Sequence, residues 1–278
     1  MLPSTEARNP KTTHIDVAST AEMLRMISDE NIKSVYAVDA ALDMIAPVAD
    51  AAAKAVADGG RIVYVGCGTS GRIAVADAAE CPPTFGVDYN TVIAVIAGGE
   101  PALVRASENA EDSGDGGRAD LLAHNVTAKD IVIGISASGG AAYVESALRA
   151  AKEIGCVTAS ISSNPGSRIS EAADYEIFTD TGAEVITGST RMKAGNAQKM
   201  VLNMISTCAM IKTGKVYENL MINLRPTNIK LRGRMIRIVS DILGTDPEES
   251  ERLLEMNDFN IRKAVGAYKN PTDKEKQI

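Results

Sequence analysis

Residues 61–72 read RIVYVGCGTSGR, and this stretch decides the fold. An apolar run, 61–66, gives way at once to Gly66-Cys67-Gly68-Thr69-Ser70-Gly71. A short apolar run without alternation fits a strand covered on both faces, and the Gly-rich turn after it opens a helix. The same grammar recurs downstream. TVIAVIAGG (91–99), DIVIGIS (130–136), CVTASIS (156–162) and DYEIFT (174–179) are apolar runs separated by helical stretches such as 141–155, which ends on a glycine. Strand, helix, strand at this spacing predicts an α/β fold, a mostly parallel five-stranded sheet with helices on both faces.

Around that centre the chain reads as helical. Ser19 with Glu22 predicts a capping box before Met23, Leu24 and Ile27. The run 38–60 predicts a helix broken or kinked at Pro47 and stopped at Gly59-Gly60. A long helix is expected from about Ser189 to Lys212, an amphipathic one over 225–244, and two short ones over 245–268, with Thr245 and Glu248 as a capping box. Residues 269–278 are expected to fray. The expected organisation is an N-terminal helical segment 1–50, the sheet domain 51–215 and a helical region 216–278.

Composition removes several classes of function. The 278 residues carry a net charge of −7, against non-specific nucleic-acid binding, which needs a basic face. Aromatics are 4% with no Trp, so stacking platforms are scarce. No run approaches the ~18 apolar residues of a membrane span, and the first residues lack a basic segment followed by an apolar one. The four cysteines are spread singly and the histidines are only two, so zinc sites and His-based triads are poor prospects. Reduced thiols in a cytoplasmic protein are the expectation, with no metal and no cofactor.

In open α/β sheets ligands bind beyond the carboxyl ends of the strands. Read as GxxxxGK[ST], the first loop fails, because Arg72 and Ile73 stand where the Lys and the metal-binding hydroxyl belong. Read as GxGxxG, it lacks a clear acidic residue about 20 positions on. What remains is a tight strand–helix turn or an anion cradle, with Gly68, Thr69 and Ser70 at a helix N-terminus. Ser136-Ala137-Ser138-Gly139-Gly140 has the same character, and two such loops point to a phosphate or sugar-phosphate pocket. Glu80, expected at the end of the helix opening at Gly71 and before a loop stiffened by Pro82-Pro83, and Glu111, near the end of the helix after the second strand, are candidates for acid and base. Each also reads as a solvated surface residue. Thr187–Gly195 offers Ser189, Thr190 and Lys193, either closing the site with positive charge or forming an ordinary helix cap with surface cations.

GCGTSGRIAVADAAECPPTFG, IAGGE, ENAEDSG, TGSTRMKAG and QKMVLNM together closely resemble the N-acetylmuramic acid 6-phosphate etherases, bacterial enzymes of the sugar isomerase (SIS) fold. TEARNP near the start and 219–231 are similar too, so the resemblance spans nearly the whole chain. It implies a three-layer αβα sandwich, a homodimer and a sugar-phosphate substrate. The implied reaction removes D-lactate from carbon 3 of the sugar by elimination and adds water, with no metal or nucleotide. Glu80 matches the family's proton donor, Glu111 its second catalytic glutamate, and Ser70, Ser136 and Ser138 its phosphate-side loops. Where the family usually has Arg-Thr-Pro after SASG, this chain has Gly140, Ala141 and Ala142, and Asn196 stands where Thr is frequent. The same fold also serves a non-catalytic sensor, the glucokinase regulatory protein, whose family carries two such domains, and aldose–ketose isomerases, against which ECPPTF speaks.

Overall fold

The computed structural model describes residues 3–224, 226 and 228–269. The expected fraying after Lys269 lies outside them. Five strands form one sheet: β1 (Ile62–Gly66), β2 (Val92–Ile96), β3 (Ile131–Ile135), β4 (Val157–Ser162) and β5 (Tyr175–Phe178). Their order is β2-β1-β3-β4-β5 and every pairing is parallel. Each expected strand is present, shorter at its ends by one to a few residues.

Both faces of the sheet are covered. Val63, Val65 and Val132 join one apolar cluster with Leu121 of α5 (Gly114–Ala123) and Val144 and Leu148 of α6 (Ala142–Ile154). Tyr64, one residue out of phase and therefore on the other face, donates its hydroxyl to Asp77 of α3 (Gly68–Phe85). Asp77 also accepts from Asn203 and Ser206 of α8 (Lys193–Lys212). The α6 side packs so closely that a methyl on Gly134 would meet Val144 Cγ1 at 2.6 Å.

The chain gathers into two units, residues 1–79 with 90–209, and residues 80–89 with 210–278. The first holds the sheet, α1 (Thr20–Asp39), α2 (Leu42–Ala57) and two four-residue helices, α4 (Pro101–Val104) and α7 (Arg168–Glu171). The expected N-terminal segment 1–50 falls within it. The second has its own core, in which Met235, Ile238 and Val239 of α9 (Ile229–Leu243) pack with Leu253 and Leu254 of α10 (Pro247–Met256) and Val265 of α11 (Ile261–Lys269).

Several local expectations are corrected. The Ser19–Glu22 capping box forms, but that of α10 does not. Asp246 caps α10 instead, accepting from Glu249 N, because Pro247 takes the first helical position. The 38–60 run is divided at Ala40-Ala41, while α2 continues through Pro47. Likewise α3 opens at Gly68 rather than Gly71, and it runs past Glu80 through Pro82 and Pro83 to Phe85. Proline's fixed φ is itself helical, so the pair costs hydrogen bonds without forcing a turn. The apolar face of α8 is core: Val201 and Ile205 are fully buried, and Met200 and Met204 half-buried.

Candidate functional site

The strand order reverses between β1 and β3, which are hydrogen-bonded neighbours with Gly66 opposite Ile135. A crevice at such a switch point is where open α/β sheets bind ligands. The two loops singled out from sequence, Cys67–Ser70 and Ser136–Gly140, leave the sheet side by side there. The first is sharp because Gly68 has φ +51 and because a methyl on Gly66 would lie 2.8 Å from Gly71 N. The second turns at Gly139, φ +73, whose N–H donates to the Ser136 hydroxyl at 3.1 Å.

The hydroxyls of these loops differ in accessibility. Ser70 and Ser136 are buried, Ser138 half-buried. Ser70 Oγ donates to Gln198 Oε1 at 2.9 Å, and Gln198 Nε2, buried in the second turn of α8, has no partner among the described residues. Thr69 meets the start of α8 directly, since a methyl on Gly195 would lie 3.5 Å from Thr69 Cγ2. The loops at β1 and the segment 187–195 therefore share one border.

Glu111 lies on the same crevice, though not at a helix end. The helix after β2 is only the four residues of α4, and Glu111 sits in the turn between a 3-10 turn (Glu108–Ala110) and α5. Its carbonyl accepts from Tyr143 N at 3.1 Å, one of the N–H groups at the α6 N-terminus that no helix carbonyl can satisfy. Ala110 and Cys67 pack against the apolar cluster that holds Tyr143. Burial, then the neighbouring Asp112, pushes the Glu111 carboxyl above the usual range. Burial and the Glu111 and Asp112 charges push the Cys67 thiol up to about 12, so Cys67 stays neutral. Glu80 is exposed and falls in the second unit.

The segment 187–195 differs most from its sequence reading. Ser189 and Thr190 are half-buried, but Lys193 is fully enclosed. Its ammonium binds Glu30 Oε2 at 2.6 Å and the Ala183 carbonyl at 2.5 Å. The carboxylate of Glu184, buried nine residues earlier, accepts Lys193 N at 3.1 Å and Ala194 N at 3.0 Å, which caps α8. Ser34 Oγ donates to the Lys193 carbonyl. Neither reading, site cation or surface cation, describes Lys193. Its charge is matched by Glu30, whose carboxyl burial alone would raise but which Lys193 and Lys33 hold at about 2.

Two further contributors carried no signal of their own in the sequence. Asn164, beyond β4, donates to the carbonyl of Ser138 and to Thr5 Oγ1, and accepts from Ser4 N. The N-terminal strap continues through Asn9, bound to the Ala183 carbonyl, and Thr12, bound to that of Val185. TEARNP was legible as a motif but not as a fastening for these loops. A cavity of about 440 Å³ beside β5, lined by Lys33, Tyr36 and Phe178 among others, contains none of the sequence-predicted residues. No described helix is long and apolar enough to cross a membrane.

A parallel sheet with hydroxyl-bearing loops at its switch point defines an SIS-type α/β protein. Two family models match accordingly: the glucokinase regulatory protein N-terminal SIS domain over residues 44–152 and the SIS domain over 102–207. The fold is shared with phosphoheptose isomerases from Neisseria gonorrhoeae (TM-score 0.51, 18% identity, 69% of this chain and 99% of that one) and Francisella tularensis (TM-score 0.51, 15% identity, 69% and 98%). Sequence gives the narrower placement. The chain is 49% identical over 260 residues to the N-acetylmuramic acid 6-phosphate etherase of Cronobacter sakazakii, covering 94% of this chain and 88% of that protein. It is 48% identical, with the same coverage, to that of Salmonella typhi. This chain belongs to the N-acetylmuramic acid 6-phosphate etherase family.

Proposed function

We propose that this chain is a carbon–oxygen lyase acting on N-acetylmuramic acid 6-phosphate, releasing D-lactate and N-acetylglucosamine 6-phosphate. The observation that carries the reading is Glu111, a carboxyl whose proton affinity is raised beside the hydroxyl loops of the switch point. In the open-chain sugar the aldehyde acidifies the proton on carbon 2. Glu111 takes that proton and the electron pair forms the carbon 2–carbon 3 double bond. The carbon 3–oxygen bond breaks, and lactate leaves with a proton from Glu80, in keeping with the family's proton donor. Water then adds at carbon 3 and returns a proton to carbon 2, so the sum is substrate plus water. No electron acceptor is required by either half.

Ser70, Ser136, Ser138 and Gly139, with Gly68 and Thr69, hold the phosphate, and Ser189 and Thr190 close the border. Lys193 acts through the segment it fastens. The chain works as a cytoplasmic homodimer, which sedimentation at twice the 29.2 kDa chain mass would support and a monomer would contradict. The match to the glucokinase regulatory protein domain favours, as a second reading, a sensor that binds the sugar phosphate without turnover.

The deciding experiment incubates the protein with N-acetylmuramic acid 6-phosphate and assays D-lactate. Release is expected, and Glu80→Gln and Glu111→Gln should each lower turnover about 10²–10⁴-fold. Full turnover in both variants would overturn the mechanism, and binding without release would favour the sensor.

A further inference from the structure

The loop Ser136–Gly140 and the start of α6, Ala141 and Ala142, contain no cation. A phosphate monoester carries close to two negative charges at neutral pH, and neutral donors at a helix N-terminus answer only part of that. Of the cations in neighbouring site segments, Arg191 is exposed, while Arg72 and Lys193 are engaged elsewhere. Arg72 donates to the carbonyls of Leu103 and Arg105, and Lys193 is sealed against Glu30.

One cation does stand at this loop. Ile169 N donates to the Gly139 carbonyl at 3.2 Å, and a methyl on Gly139 would lie 2.2 Å from Ser167 Cβ. Arg168 is therefore flanked on both sides by residues in contact with Gly139. Its guanidinium reaches Glu145, in the first turn of α6, and Arg149 binds the same carboxylate at 2.9 Å. Two arginines on one glutamate leave one positive charge over, beside the cation-free loop. Arg168 is 60% exposed and Glu145 14%, so the guanidinium keeps donors facing outward.

We propose that Arg168 is a substrate-binding residue of this chain, supplying from α7 the positive charge for the phosphate that the Gly140-Ala141-Ala142 sequence lacks. This rests on the sugar-phosphate reading of the site and adds to it a residue from another element. Because Arg168 adds charge at the phosphate, remote from the lactyl ether, its loss weakens binding and leaves the chemical step.

The test compares wild type, Arg168→Gln and the double variant Arg168→Gln/Gly140→Arg. Position 140 has a negative φ and room for a side chain, the nearest atom to an added methyl being Ser138 Oγ at 3.6 Å. Arg168→Gln should raise KM at least tenfold with kcat changed less than threefold. It should weaken inhibition by N-acetylglucosamine 6-phosphate, which has the phosphate but no lactyl group, by the same factor. Arginine at position 140 should restore most of both. An unchanged KM, a fall confined to kcat, or a loss that Gly140→Arg does not restore would overturn the proposal. If wild type releases no D-lactate, the etherase reading fails by itself, and calorimetric binding of N-acetylglucosamine 6-phosphate to the same three proteins still decides the role of Arg168.

Discussion

Two ion pairs border the loops at the carboxyl ends of the sheet, and burial separates them. Lys193–Glu30 is sealed, 0% and 3% exposed, whereas Arg168–Glu145 is open, 60% and 14% exposed. Both join a helix start to another segment of the first unit. In the sealed pair Glu30 also takes two cations, Lys193 and Lys33, but the Lys193 ammonium is enclosed and donates to the Ala183 carbonyl as well, so the pair fastens α1 to α8. In the open pair water screens the attraction, and one carboxylate faces two guanidiniums. A cation near a site can be framework or binding group, and its solvent exposure decides which. The residue inside the motif TGSTRMKAG is the framework, and the one outside any motif is the one proposed to bind.

The widest separation between the two pairs should appear in stability. Lys193→Met leaves Glu30 buried with Lys33 alone, and breaking a buried pair costs about 3–5 kcal/mol. Thermal unfolding of the first unit should fall by on the order of 10 °C, and Glu30→Gln added to Lys193→Met should recover part of it. A melting curve for Lys193→Met that overlays wild type would show that the sealed pair is no framework.

Acid sharpens the contrast on a smaller scale. Glu30 has its folded carboxyl at about 2 against an ordinary 4.5, a depressed value. Its contribution is therefore complete above about pH 4.5 and lost as the pH falls toward 2. The difference amounts to roughly 3 kcal/mol at most. Urea unfolding at pH 5 and at pH 3 should show a decline that Glu30→Gln flattens. An equal decline in that variant would assign the acid sensitivity to other carboxylates. Smallest of all, Arg168→Gln should change stability by less than about 0.5 kcal/mol at any of these pH values, as for an exposed side chain. A large drop in its melting temperature would make Arg168 framework too and erase the contrast.

The sheet was legible because parallel strands buried on both faces must be apolar along their whole length, and 62–66 and 131–135 are. The place of Ser70 and Ser136 in the turns beyond β1 and β3 was legible from the strand pattern, and such turns are where backbone N–H groups gather. The course of α3 through Pro82-Pro83 was not, because local propensity opposes it and only the surrounding packing permits it. Nor was the fate of Lys193. Its partner Glu30 lies 163 positions away, and no periodicity reports a contact at that separation. Arg168 was invisible for a similar reason: its place beside Gly139 is set by a strand and a turn folding back, not by spacing along the chain.

The strap at the start of the chain turns geometry into timing. Ser4, Asn9 and Thr12 bind Asn164, Ala183 and Val185, partners 160, 174 and 173 positions away. On a ribosome moving at about 5–20 residues per second, the strap waits roughly 10–40 s before those partners exist. During that interval the strap, made before its partners, has no place to settle. The loops it fastens are therefore tied down only after β1 to β4 beneath them have been made.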